Sequence, residues 1–97
     1  MTERAEITVQ ENAGQQRYEA SLEAGVVAGL AEYEDLDGVR VFTHTEVDDA
    51  YEGQGVGSAL ARGALDDVRE RGLQLRAKCP FIKSYIEKHP EYADLEG

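Results

Sequence analysis

The sequence predicts an α+β domain: an antiparallel four-strand meander, then a helix, a fifth strand and a short C-terminal helix. Three observations lead there. Through the first half of the chain apolar and polar residues alternate in short runs broken by turn residues. From Gly55 the apolar spacing lengthens to that of a helix, and after Gly72 it returns to alternation. Two prolines, Pro80 and Pro90, then bracket a second short helical segment.

Each element has its own signal. AEITVQ (5–10) alternates as a half-buried strand does, and ENAGQ (11–15) is turn chemistry. QRYEASL (16–22) alternates again, with Tyr18, Ala20 and Leu22 on one face. EAG (23–25) reads as a tight hairpin and VVAGLAEYE (26–34) as the third strand. DLDG (35–38) turns the chain into VRVFTHTEV (39–47), rich in β-branched residues that suit a pleated sheet. Val56, Leu60, Ala64 and Val68, flanked by Ala61 and Leu65, draw one apolar helical stripe, with Asp66, Asp67, Arg69 and Glu70 on the other side. Gly72 is a natural helix stop. LQLRAKC (73–79) supplies the fifth strand, with Leu73, Leu75, Ala77 and Cys79 on one face. Pro80 suits the first position of the helix FIKSYIEKH, which Pro90 ends.

The chain of 97 residues is enough for one modest core, so residues 1–97 read as a single domain. No apolar run is long enough to span a bilayer, and the charged, alternating start is not that of a signal peptide. A lone cysteine excludes an internal disulfide and fits a reducing, cytoplasmic setting. Twenty acidic against ten basic residues, net charge −10, argue against nucleic acid as a partner. The charge is uneven: residues 1–50 hold twelve acids and three bases, whereas 51–97 hold eight and seven. Acidity that serves solubility is the plain reading; beside it, an anionic ligand sits more comfortably on the second half and a cationic one on the first, and no metal site is expected.

The segment GQGVGS (Gly53, Gln54, Gly55, Val56, Gly57 and Ser58) stands where strand gives way to helix. A glycine-rich turn entering a helix presents several backbone N–H groups at the positive end of the helix dipole, with no side chain in the way. One reading is an anion site, most naturally for a pyrophosphate; the other is a tight strand-to-helix turn without a ligand. The Walker pattern fails because no lysine follows Gly57. The dinucleotide fingerprint fails because its third glycine is Ser58 here, and because four antiparallel strands precede the turn.

The meander, this loop, the amphipathic helix and a fifth strand together resemble the GNAT superfamily of acyl-CoA-dependent N-acyltransferases. Its loop pattern (Arg or Gln, two residues, Gly, one residue, Gly or Ala) is met at Gly55 and Gly57, within YEGQGVGSALARGAL after Val47. CPFIKSYIEKHPEYADL resembles the C-terminus of a small single-domain branch of that superfamily, so the resemblance covers nearly the whole chain. It implies a GNAT-like core with coenzyme A pyrophosphate on residues 53–58 and the pantetheine arm along the strand end at Thr45 and Val47. It also implies transfer of an acetyl group from acetyl-CoA to an amine by direct attack. The alternative is a non-catalytic module that binds or senses CoA or acetyl-CoA. Two departures stand out. Glu52 occupies the Arg/Gln position, leaving Arg62 or Lys88 to supply positive charge, and the helices that larger members insert after the first strand are missing. The acceptor, a small-molecule or protein amine, must then meet an open or borrowed pocket.

Acyl transfer needs a neutral amine, a placed carbonyl, a donor for the oxyanion and a proton for the leaving thiolate. His44 and Glu46 share one face of the strand at the implied thioester and are candidate bases; a sheet histidine and a strand-end acid are their plain readings. Cys79 stands before Pro80, near a helix start that favours a nucleophilic thiolate, so an acyl-cysteine route is open beside a packing role. By family resemblance Tyr85 is a candidate to reprotonate the thiolate, or else packs with Phe81. Lys88 is a candidate phosphate contact, Lys83 reads as a solvated face, and His89 as a helix end.

Overall fold

The computed structural model describes residues 7–22, 26–51 and 55–96. Five strands form one sheet in chain order: β1 (Thr8–Asn12), β2 (Arg17–Ser21), β3 (Val27–Leu36), β4 (Val39–Val47) and β5 (Gln74–Ala77). The first four pair antiparallel, and β5 joins β4 in parallel. That parallel pairing requires a crossover, which α1 (Val56–Glu70) provides; α2 (Pro80–Lys88) follows β5. Short 3₁₀ segments lie at Asp49–Tyr51 and Pro90–Leu95. The α+β meander–helix–strand–helix architecture expected from the sequence is the one observed.

Where the boundaries differ, cross-strand contacts explain why. β1 runs on to Asn12, two residues into the expected turn, because Glu11 and Asn12 pair with Tyr18 and Arg17. The Asn12 side chain then accepts a hydrogen bond from Gln15 N at 3.2 Å, closing a shorter turn. β3 likewise continues through Asp35 and Leu36, opposite Arg40 and Val39. This leaves a two-residue turn, Asp37 and Gly38, both at positive φ as a twisted hairpin demands. The expected hairpin at 23–25 and the first residues of the expected first strand lie outside the described residues. The 3₁₀ segment after Pro90 has no helical periodicity to announce it. It buries Tyr92 and Leu95, and Arg69 on α1 holds it through Asp94 at 3.0 Å and Glu91 O at 2.6 Å.

Tyr18, Ala20, Ala31 and Phe42 on one sheet face meet Val56, Leu60, Ala61, Ala64, Leu65 and Val68 on α1. A fully buried Val or Leu contributes roughly 1.5–3 kcal/mol, so the stripe on α1 is the main reason the helix stays on the sheet. The opposite face carries Glu19, Glu32, His44 and Glu46, set by strand alternation and by the register Glu19↔Leu30, Leu30↔Glu46 and Glu32↔His44. The β3–β4 ladder has one irregularity. Tyr33 pairs with Phe42 but Glu32 with His44, so Thr43 is an extra residue in β4.

The helix-packed face holds a charge that alternation alone does not announce. Arg40 is only 4% exposed. Its guanidinium grips Asp35 with two hydrogen bonds of 2.8 Å and reaches Glu11 at 3.1 Å and Tyr18 Oη at 2.7 Å. It also lies 3.9 Å from the Tyr33 ring centroid. Tyr18 donates onward to Asp67 on α1 at 2.6 Å, and Arg71 binds both Asp67 and Glu11. The network ties β1, β2, β3, β4 and α1 together. The Arg40 hydrogen bonds hold the Asp35 carboxyl below its ordinary value. Burial, then the hydrogen bond to Glu11, pushes Tyr33 up to about 12.

Two outcomes follow from this cluster. Arg40→Met takes from Asp35, Glu11 and the Tyr18 hydroxyl the guanidinium they share beneath α1 and leaves Arg71 as the cation that still holds Glu11 and Asp67, and urea unfolding should show a loss of about 3 kcal/mol. Asp35 titrates lower folded than unfolded, so its contribution is present above the unfolded value of about 4 and is lost as pH falls through the folded value. The urea midpoint should therefore drop below about pH 4, and Asp35→Asn should flatten that limb. An unchanged acid limb in Asp35→Asn would show that other carboxylates carry it.

Candidate functional site

The site begins where two strands part. β5 pairs with β4 only from Val39 to Phe42. Beyond that point Lys78 N and Cys79 N both donate to Phe42 O, at 3.0 and 3.1 Å, and the next residue is Pro80, which has no N–H to continue the ladder. The chain turns into α2 instead. From Thr43 to Val47, β4 keeps its bonds to β3, while among the described residues no strand pairs with its other edge. A free edge of this kind can accept an extended ligand as an added strand.

The side chains of that segment divide by face. Thr45 and Val47 lie opposite Ala31 and Gly29, on the helix-packed face. Thr45 Oγ1 accepts a hydrogen bond from Cys79 Sγ at 3.1 Å. Cys79 is 4% exposed and is the N-cap residue of α2, with Pro80 at the first helical position as expected. His44 and Glu46 lie on the other face, where His44 Nε2 and Glu46 Oε2 are 2.6 Å apart and both side chains are exposed. The strand thus presents a hydroxyl–thiol pair on one side and an imidazole–carboxylate pair on the other. The sequence pattern put His44 and Glu46 together. It gave no sign that Thr45 would contact Cys79, thirty-four residues away.

Beside the free edge stands the start of α1. Gly55 is its N-cap at φ 81, a conformation that penalises any Cβ, and a Cβ there would meet only open space. Among the described residues no side chain caps the helix, and its first main-chain bond runs from Ala59 N to Gly55 O at 3.0 Å. The N–H groups of Val56, Gly57 and Ser58 precede that bond and have no intrahelical acceptor. They lie at the positive end of a fifteen-residue helix and suit an anion. Gly57 has a different reason for being glycine. A Cβ there would sit 2.8 Å from the ζ carbon of Phe81 and 3.6 Å from Val47 Cγ2, so its smallness lets α2 pack against α1. Gly53, Gln54 and Glu52 lie outside the described residues.

The remaining candidates are dispersed. Tyr85 is buried, its ring stacked on His89 at 4.1 Å and 6.1 Å from Tyr92. It stands six residues beyond Cys79, roughly 9 Å along the helix axis, and packs toward the C-terminal end of α2. Lys88 is exposed in the last turn of α2, at the far end from Cys79, and Lys83 is exposed midway. Arg62 is exposed on α1, one turn from Ser58 and on the same helical side. Phe81, expected only as a packing partner for Tyr85, proves to be the side chain at the junction of the two helices.

Comparison with known proteins bears on the family and the fold. A family model described as GCN5-related N-acetyl-transferase matches residues 17–95. The chain is 45% identical over 47 residues to Protein NATD1 of Gallus gallus and of Homo sapiens. Those matches take in 48% of this chain and 43% and 42% of the two relatives, so less than half of each relative's length is covered. Among solved structures, a GCN5-like protein from Staphylococcus aureus superposes with a TM-score of 0.68 at 27% identity, over 99% of this chain and 91% of that one. The ribosomal-protein-S18-alanine N-acetyltransferase of Escherichia coli gives a TM-score of 0.58 over 63% of this chain and 39% of its own, and at 24% identity supports the fold alone.

The packing role of Gly57 can be measured. Gly57→Ala should cost about 1 kcal/mol or less in urea unfolding, because the gain in helix propensity offsets part of the displacement of the Phe81 ring. Adding Phe81→Ala should remove most of that extra cost in a double-mutant cycle. Strictly additive effects would show that the glycine answers to something else.

Proposed function

The chain belongs to the GCN5-related N-acetyltransferase family, and on that premise we propose that it binds acetyl-CoA at the β4–β5 fork and transfers the acetyl group to an amine. The observation that carries the reading is the meeting of an uncapped helix start with a free strand edge, one built for an anion and the other for an extended amide chain. The residues present fit the molecule. The N–H groups of Val56, Gly57 and Ser58 would take the pyrophosphate. The main chain at Thr45 and Val47 would hold the pantetheine arm as an added strand. When bound, acetyl-CoA supplies an acetyl carbonyl activated as a thioester.

The chain's own groups do the rest. His44, oriented through Nε2 by Glu46, takes the proton that an ammonium acceptor must lose before it can attack. The acceptor approaches over the open sheet face, where Glu32 stands directly across from His44 and adds negative charge that favours a cation. With net charge −10 on the chain, a small-molecule or protein amine suits this face better than a nucleic acid. Cys79, buried and donating to Thr45, serves to hold the start of α2 against β4 rather than to attack. Tyr85 supports α2 by packing, and Arg62 is better placed than Lys88 to add charge near the start of α1. A reducing, cytoplasmic setting suits a single buried thiol.

Calorimetric titration with acetyl-CoA and CoA should show binding, and an acceptor survey by thiol release should then find an amine that is acetylated. His44→Ala and Glu46→Gln should keep acetyl-CoA affinity while transfer slows by about 10²–10⁴-fold. Cys79→Ser should leave transfer largely intact, with no acetylated cysteine in the mass spectrum of the wild type. Absence of binding heat would overturn the reading. Binding without transfer to any amine would make the chain a CoA-binding or sensing module instead.

A further inference from the structure

We propose that Phe81 is a binding residue for the acyl-pantetheine arm, its ring forming the apolar wall between the start of α1 and the Thr45–Cys79 pair; this rests on the acetyl-CoA reading above. Four large apolar side chains are exposed among the described residues, Val26, Val27, Leu36 and Phe81, and Phe81 is the aromatic one. It stays 39% exposed, whereas its neighbour Ile82 is fully buried.

The position of the ring is dictated by its surroundings. Its root is in the first turn of α2, two residues from Cys79, which binds Thr45 on β4. Its tip lies against Gly57, where a Cβ would come within 2.8 Å of the ζ carbon and 3.3 Å of an ε carbon. Val47 Cγ2 is 3.6 Å from the same point, so strand end, helix start and ring converge. The ring therefore stands at the anion-facing start of α1, on a residue rooted two positions from the thiol of the thiol–hydroxyl pair. A chain that is anionic at one end, carries amides in its middle and ends in a thioester has to pass this ring to place its two ends. The exposed ring surface is what such an arm would cover, excluding water from the thioester beside Thr45 and Cys79. The nucleotide end, held by main-chain N–H groups, makes no demand on it.

This division predicts a selective loss. Burying the exposed part of the ring removes roughly 60–100 Å² of apolar surface from water, so Phe81→Ala should weaken CoA binding by about 10–50-fold. Phe81→Leu should fall between it and wild type. Affinity for 3′-phosphoadenosine 5′-diphosphate, the nucleotide half without the arm, should be unchanged in both variants. The measurement is calorimetric titration of the full chain, with urea unfolding alongside to establish that each variant is folded. Unchanged CoA affinity in folded Phe81→Ala would overturn the proposal. So would equal weakening of CoA and the nucleotide half, which would mark Phe81 as a packing residue that merely positions α1. If wild type bound CoA and both outcomes failed, the acetyl-CoA reading would stand without Phe81. If wild type bound neither ligand, that reading itself would fall and take this one with it.

Discussion

The carbonyl of Phe42 is the point on which the site depends. It accepts hydrogen bonds from both Lys78 and Cys79, and Pro80 has no N–H with which to go on. A ladder that would otherwise continue along β4 stops there. Because it stops, β4 keeps from Thr43 to Val47 an edge that no strand among the described residues pairs with, and the chain is released into α2 in time to set Cys79 against Thr45. The same release carries the first turn of α2 over the start of α1, where Phe81 meets Gly57. One main-chain acceptor and one imino acid thus determine where the β4–β5 ladder ends and α2 begins.

An open edge is useful only if the strand that bears it is held still. The other half of β4 does this. Val39–Phe42 is paired on both sides, and Arg40 within it is clamped by Asp35, Glu11 and Tyr18 beneath α1. Charges buried in this way add little net stability when replaced as a set, but removing one member strands the others. The cluster therefore acts as a locating pin: β1, β2, β3 and α1 all meet Arg40 or its direct partners. Rigid support at one end of the strand permits incomplete hydrogen bonding at the other.

The glycines between strand and helix look alike in the sequence but answer to different constraints. Gly55 is required by its own backbone angle, Gly57 by the ring of a residue twenty-four positions later. The first constraint is local, which is why the turn was legible from composition. The second belongs to the packing of α1 on α2, and no window of sequence contains both partners. The same distinction explains Tyr85. Its region was readable, yet its ring goes to His89 and Tyr92, because the 3₁₀ segment after Pro90 folds back and buries that end of the helix.

What the sequence determined by itself is what repeats over a few residues: the strand alternation, the helical stripe from Val56 to Val68, the stops at Gly72 and Pro90, and the pairing of His44 with Glu46 on one face. Their physical cause is local, since a side chain's direction follows from the backbone period. The strand ends were less legible, because Glu11 and Asp35 enter strands only when Tyr18 and Arg40 are opposite them. Tertiary structure alone decided that Arg40 would be buried, that Cys79 would donate to Thr45 and that Phe81 would cover the junction. Each is a contact between faces that a linear chain does not juxtapose: the first exists only once α1 has crossed the sheet, the other two only once β5 has also let go of β4 beyond Phe42.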